Sequence, residues 1–140
     1  MAGLIETLYS PAGRIRRRTF WLGVLGVPIV SVAVVVAAVE AVRVTTGLAL
    51  EDLPKDSPYS AFIGLSGLVL SVSWMWSAIC LHVKRWHDRG KSWPHIFIAF
   101  IPLIGGIWSL VECGFLDGVH GQNQYGPSPK GINIAARSTI

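Results

Sequence analysis

The chain has 140 residues, of which 51% are hydrophobic and only 14% are charged, with a formal net charge of +4 and a mean hydropathy of +0.51. A soluble domain carries about 25% charged residues, so this composition excludes an ordinary soluble domain and predicts one domain that mostly faces lipid. The modest positive charge is clustered and does not indicate nucleic-acid binding.

The N-terminal part predicts a cytoplasmic basic segment over residues 1–18, followed by a first transmembrane helix over residues 19–43. The basic segment ends in the run GRIRRR, and the residues from Phe20 to Val39 carry no charge. About 20 apolar residues cross a bilayer as a helix, and membrane helices tolerate an internal proline such as Pro28.

A polar loop, predicted over residues 44–58 and outside the cell, separates this helix from a second transmembrane helix over residues 59–83. The next ten residues, 84–93, read KRWHDRGKSW and are predicted to form a cytoplasmic basic turn. A third apolar run, residues 94–116, is long enough at 1.5 Å per residue to cross as well. Residues 117–140 are rich in Gly, Asn, Pro and Ser, which is typical of an irregular tail.

The distribution of cations predicts the orientation, because cytoplasmic loops near a membrane carry an excess of Lys and Arg. Three spans put eight cations on one side and four on the other, so we expect the N-terminus and the basic turn inside the cell. The loop and the tail are then outside, and Cys80 and Cys113 lie at opposite faces, too far apart for a disulfide. The eight cations are Arg14, Arg16, Arg17, Arg18, Lys84, Arg85, Arg89 and Lys91.

The run from Pro102 to Gly106, PLIGG, leaves an alternative open, because it can fold the third segment back as a re-entrant hairpin. The tail would then return to the cytoplasm and the count would improve to ten cations against two. Three spans are nevertheless the preferred prediction, because non-helical backbone at membrane depth must be buried in protein.

Four motifs carry a family resemblance, and they follow one another in order over residues 13–129. They are GRxxRxxFW from Gly13, KRxHDxGKS from Lys84, IPLIG from Ile101 and GxNxYGPxP from Gly121. Together they resemble the bacterial inner-membrane family known as domain of unknown function 805, the YhaH-like proteins. The resemblance implies a small multi-span protein of the bacterial inner membrane and implies no activity. The sequence departs from the pattern at Trp86, after Ser92, and at Gln122 and Gln124.

The residues with candidate functional chemistry are mostly cations at the predicted inner face. A face for anionic lipid, phosphate or a partner protein would comprise Arg14, Arg17, Arg85, His87, Asp88, Arg89 and Lys91. Among these we expect Asp88 to form an internal salt bridge with Arg14, Arg17 or Arg85. Glu40 and Glu112 are candidate intramembrane carboxylates, which are functional suspects by default, although both lie near segment ends and Glu40 can instead pair with Arg43.

The sequence therefore predicts an all-α integral membrane protein with three transmembrane helices, without a cofactor and with no metal site, since neither HExxH nor paired-Cys spacing is present. We expect a non-enzymatic component of the bacterial inner membrane whose cationic cytoplasmic face contacts anionic lipid headgroups or a partner membrane protein, and which can form a homo-oligomer. The alternative is a small oligomeric transporter or channel-like subunit.

Overall fold

A computed structural model describes residues 3–131 of the chain. Its α-helices are α1 (Leu4–Tyr9), α2 (Arg17–Thr46), α3 (Pro58–Asp88) and α4 (Ile104–Leu110). Short 3₁₀ helices cover Leu50–Asp52 and Trp93–Phe100, and a π-helical turn, Val111–Phe115, continues α4. The predicted residues 132–140 of the tail lie outside the described range.

Helices α2 and α3 contain the first two predicted transmembrane helices and extend beyond both. Within residues 3–131, these two helices are long and apolar enough to cross a membrane. At 1.5 Å per residue their 30 and 31 residues span about 45 Å, more than the roughly 30 Å of a hydrocarbon core. Only 6% of the most apolar window of each is buried, whereas a core helix of a soluble protein would be mostly buried.

The described residues form two compact units. We call residues 3–24 with 77–131 the basic unit and residues 25–76 the apolar unit. In the apolar unit, α3 starts with Ser57 at its N-cap, where its hydroxyl accepts a hydrogen bond from the amide of Ser60 at 3.1 Å. Pro58 follows at the first helical position, where its missing N–H costs nothing.

The basic unit has a small core of its own, made by both ends of the chain. Phe20, Leu81 and Trp86 are almost fully buried there together with Ile15 and Cys113. The ring of Phe20 meets that of His82 edge to face, with centroids 5.0 Å apart. Trp86, one of the departures from the family pattern, is thus a large core side chain.

Two sequence predictions about helix bounds are wrong. The predicted turn, residues 84–93, is helical at its start, because α3 continues to Asp88. The predicted third helix, residues 94–116, is not continuous. It consists of the 3₁₀ helix Trp93–Phe100 and the α4–π segment, which turn back on each other around Leu103. We call residues 93–115 the apolar hairpin.

The end of this hairpin lies beside the basic turn, and not across a bilayer from it. The Arg85 side chain donates from Nε to the carbonyl of Cys113 at 2.6 Å. Cys80 and Cys113 therefore both belong to the basic unit, as buried free thiols, and the expectation that they lie at opposite faces is wrong.

Candidate functional site

The centre of the basic unit is the carboxylate of Asp88, which lies in the last turn of α3. Its Oδ1 accepts a hydrogen bond from Nε of Arg14 at 3.0 Å, and its Oδ2 accepts one from Nη1 of Arg85. All three side chains are at most 6% exposed. The predicted internal salt bridge of Asp88 is thus confirmed, with two of the three expected partners. The third candidate, Arg17, pairs with Asp117 instead, at 2.8 Å.

The guanidinium of Arg85 also holds three stretches of backbone. Besides Asp88 and the carbonyl of Cys113, it donates to the carbonyls of Ile15 at 3.1 Å and Leu116 at 2.8 Å. A guanidinium has five N–H donors, and a buried charge is tolerated only when such groups are paired. Arg85 therefore ties the N-terminal segment, α3 and the end of the apolar hairpin together.

Arg14 performs the same task for the tail. Its two terminal nitrogens donate to the carbonyls of Val119 at 2.6 Å, Gly121 at 2.8 Å and Gly126 at 3.1 Å. The described part of the tail, residues 117–131, has no helix to satisfy these carbonyls, so an arginine satisfies them. The cations thus stabilise irregular backbone, which a reading based on membrane orientation alone does not anticipate.

Gly118 passes directly against the Asp88 carboxylate, and a Cβ on this residue would overlap it. The next residue, Val119, donates its amide to the carbonyl of Asp88 at 2.8 Å. The close approach of this backbone to the Asp88 carboxylate therefore requires a glycine at position 118. No sequence signal identified Gly118, because it lies outside the four motifs.

A stacked pair closes the tail over the end of α3. The rings of His87 and Tyr125 are 3.8 Å apart and nearly parallel, at 7°. Asn123 donates from Nδ2 to the carbonyl of His87 at 2.8 Å and accepts the amide of Tyr125 at 2.9 Å. Gln122 and Gln124, the departures from the family pattern, are exposed. The tail motif thus binds the end of α3 through Asn123 and Tyr125, and not through Gln122 or Gln124.

A second ion cluster lies around Glu112, at the end of the apolar hairpin. Its carboxylate oxygens are 3.0 Å from Nε of Arg89 and 3.1 Å from Nζ of Lys91. Lys91 also lies 5.1 Å above the centre of the Trp86 ring. Glu112, a candidate intramembrane carboxylate from the sequence, therefore has two cations of the basic turn as partners. Glu40 pairs with Arg43 at 3.3 Å on the surface of α2, as expected.

Lys84 attaches α1 to the end of α3, a role that the sequence did not predict. Its side chain is buried, and Nζ donates to the carbonyls of Glu6 at 2.7 Å and Thr7 at 3.0 Å. These carbonyls belong to the last turn of α1, where the helix dipole favours a cation. A six-residue helix is marginal alone, so this contact stabilises α1 against the rest of the unit.

The outer edge of the cluster is more exposed to solvent. Asp117 accepts from Lys130 at 2.5 Å as well as pairing with Arg17, and the hydrogen bond from Lys130 lowers the pKa of this carboxyl.

The cavity among Arg16, Arg85, Asp117 and Lys130 measures about 10 Å³, roughly one water. A phosphate group therefore does not fit inside the cluster, only on its surface. Among residues 3–131, no three His, Cys, Asp or Glu side chains come together as metal ligands.

Four of the predicted interaction residues are thus occupied inside the protein, namely Arg14, Arg85, His87 and Asp88. Arg89 and Lys91 are partly exposed while paired with Glu112, and Arg17 is more open. All the motif residues that suggested the family converge on this one unit. Residues 8–127 match the family described as "Protein of unknown function (DUF805)". The chain belongs to this family.

Among curated proteins, this DUF805 chain is similar to "Inner membrane protein YhaI" of Escherichia coli (strain K12). The two are 29% identical over 120 residues, which cover 85% of each chain. The protein of the same name from Escherichia coli O157:H7 matches equally well. No solved structure matches. The relatives' names thus agree with an inner-membrane protein.

Proposed function

We propose that this DUF805 protein is a two-span, non-enzymatic component of the inner membrane whose basic unit lies on the cytoplasmic face and contacts anionic lipid headgroups. The observation that carries the proposal is the separation of charge between the two units. Within residues 3–131, the basic unit has nine Lys and Arg against four Asp and Glu, a net +5. The apolar unit has two against four, a net −2. Cations near a membrane favour the cytoplasmic side.

The contacts of the apolar hairpin support two spans. Three spans would require residues 112–116 to lie across the bilayer from the basic turn. Instead, the carbonyls of Cys113 and Leu116 accept hydrogen bonds from Arg85, and Glu112 pairs with Arg89. The re-entrant alternative keeps all these polar contacts and gathers the nine cations on one side. Part of its backbone cost is met inside the hairpin, where the amides of Ile104 and Gly105 donate to the carbonyls of Pro102 and Ile101.

The lipid-facing cations differ from those that the motif suggested. Arg14 and Arg85 cannot reach a headgroup without leaving Asp88 unpaired. Arg16 and Arg18 are exposed in the described structure, and they flank Arg17, whose side chain is 41% exposed. A juxtamembrane cation contributes about 1 kcal/mol near an anionic surface. The segment Arg16–Arg18 is therefore the part of the basic unit that best suits headgroup phosphates.

The transporter alternative has less support. It relied on Glu40 and Glu112 as intramembrane carboxylates, and each is paired with cations. The non-enzymatic reading rests on the chemistry of the cluster. Its buried charged groups are arginines, a lysine and carboxylates bound to one another and to backbone. The cavity that the described residues leave beside Asp88 measures only about 10 Å³.

Lipid retention tests the proposal. Arg16→Gln/Arg18→Gln should lose about 2 kcal/mol of attraction to anionic lipid, or roughly 30-fold in affinity. The measurement is mass spectrometry of phosphatidylglycerol that co-purifies with the full-length protein, at low and high salt. The matched control is Arg43→Gln/Lys55→Gln, which removes the same charge from the apolar unit. Equal retention by both double variants would sink the headgroup assignment.

A further inference from the structure

The apolar hairpin consists of two short arms joined by a tight turn. Its tip is a γ-turn, in which the amide of Ile104 donates to the carbonyl of Pro102 at 2.7 Å across Leu103. Leu103 has φ +66° and ψ −51°, a strained conformation for a residue with a side chain. The two arms then touch, since a Cβ on Gly105 would overlap the carbonyl of Ile98. A residue other than glycine keeps such a backbone conformation only where the rest of the fold requires it.

The outside of the hairpin is almost entirely apolar. Leu103 is 90% exposed, Phe100 78%, and Ile104 and Ile107 68% each. An open groove of about 500 Å³ runs along α4 and is lined by six apolar residues and Glu112. A contiguous apolar surface of this kind marks a contact with another molecule or with a membrane.

Neither arm is long enough to cross a bilayer. The 3₁₀ helix Trp93–Phe100 has eight residues, about 16 Å at 2.0 Å per residue. The segment Ile104–Phe115 has twelve, about 18 Å at 1.5 Å per residue. The hydrocarbon core is about 30 Å thick, so each arm corresponds to about half of it.

Both ends of the hairpin are fixed to the same polar cluster. Lys91, two residues before the hairpin, pairs with Glu112 near its other end at 3.1 Å. Trp21 donates to the carbonyl of Gly114 at 3.1 Å. The same cluster holds the first residues of α2 and the last residues of α3. Both ends of the hairpin therefore share this cluster with the first turn of α2 and the last turn of α3.

We propose that the apolar hairpin is a wedge inserted into the cytoplasmic leaflet alone, with the acyl chains of that leaflet against Phe100, Leu103, Ile104 and Ile107. This rests on the two-span arrangement proposed above. Helices that cross the membrane add the same number of segments to both leaflets, whereas the hairpin adds two arms to one. Two additional segments in one leaflet favour membrane that is convex toward the cytoplasm.

Depth measurement is the first test, on the full-length protein in vesicles of phosphatidylethanolamine and phosphatidylglycerol. A spin label on Leu103→Cys should collide often with oxygen and rarely with a water-soluble nickel chelate. The same label on His120→Cys, exposed in the polar tail, should show the reverse. The native cysteines are buried. Frequent nickel collisions at position 103 overturn the wedge, and so does shielding from both reagents, which would mean that a second copy covers the hairpin.

Curvature sorting is the second test. The labelled protein, captured in one orientation by a C-terminal tag, is reconstituted into giant vesicles of the same lipids, and narrow tubes are drawn from them. With the cytoplasmic leaflet outside, the wild type should be enriched on the tube, and Phe100→Ser/Leu103→Ser should lose the enrichment. Leu103→Gly removes the same tip side chain while relieving the backbone strain, so it controls for misfolding of the double variant. Equal distribution of the wild type between tube and flat membrane overturns the wedge.

The outcomes separate this inference from the proposed function. A C-terminal tag found outside the cell would contradict both the two-span arrangement and the wedge. Unchanged lipid retention in Arg16→Gln/Arg18→Gln would remove the headgroup contact only, because depth and sorting are read from Phe100 and Leu103.

Discussion

At the scale of single residues, the cations of the basic unit work as donors to backbone. Arg14 and Arg85 each bind three carbonyls in addition to Asp88, and Lys84 binds two more. An apolar side chain cannot satisfy these acceptors, and water is scarce at this buried site. The positive charges that indicate orientation in the sequence are therefore also the residues that fold the unit.

We expect Asp88→Asn to lower the free energy of unfolding by about 3–5 kcal/mol, because it leaves Arg14 and Arg85 buried without their counter-ion. Thermal unfolding in detergent measures the change. Asp117→Asn, at an exposed pair, is the control and should change little. Equal stability of Asp88→Asn and the wild type would mean that the central carboxylate does not hold the cluster.

Gly118→Ala tests the close approach without altering charge. The added methyl group overlaps the Asp88 carboxylate, so we expect a loss of about 1–3 kcal/mol, as for other overpacked sites. Gly106→Ala is the matched control, since nothing lies within 4 Å of a Cβ there and a helical alanine gains about 0.5–1 kcal/mol over glycine. The same detergent unfolding assay applies, and the prediction fails if the two variants are equally stable.

At the scale of elements, the apolar hairpin depends on the contact between Glu112 and the basic turn. The carboxylate is 10% exposed and its partners, Arg89 and Lys91, are 25% and 33% exposed. These bonds are charge-assisted and partly shielded from water, which makes them stronger than a surface pair. They fix the returning arm of the hairpin to the residues from which the first arm departs.

Glu112→Gln should therefore release the end of the hairpin at a cost of about 1.5–3 kcal/mol, the range for hydrogen bonds to charged groups. Hydrogen exchange of the amides of residues 110–116 should quicken, while exchange in α2 stays unchanged. The control is Glu40→Gln, which removes the exposed carboxylate beside Arg43. Protection of residues 110–116 that is the same in both variants would contradict this account of the hairpin.

At the scale of the whole molecule, the proposed arrangement has two crossings and keeps both ends of the chain on one side. Its basis is electrostatic, because the basic unit carries +5 and the apolar unit −2 among the described residues. The segment Leu50–Asp52, with Glu51 and Asp52, belongs to the apolar unit and is expected outside the cell.

Reporter fusions measure this arrangement directly. A fluorescent protein fused after Ile140 should fold and fluoresce in the cytoplasm, and an alkaline phosphatase at the same site should be inactive. A thiol introduced at Lys55→Cys should react with an impermeant reagent added outside, whereas His120→Cys should react only after lysis. Active phosphatase after Ile140 would restore three spans.

The sequence by itself determined the two long helices, the clustering of cations and the ion pair of Asp88, because each follows from local composition and from a few neighbouring motif residues. Only the tertiary structure decided the path of residues 94–116. An apolar run of this length can bury its side chains in lipid equally well as one span or as two short arms. The positive φ of Leu103, +66°, gives no signal in the sequence. The role of Gly118, the partners of Lys84 and the pairing of Glu112 likewise depend on contacts between residues far apart in the chain, which local periodicity does not encode.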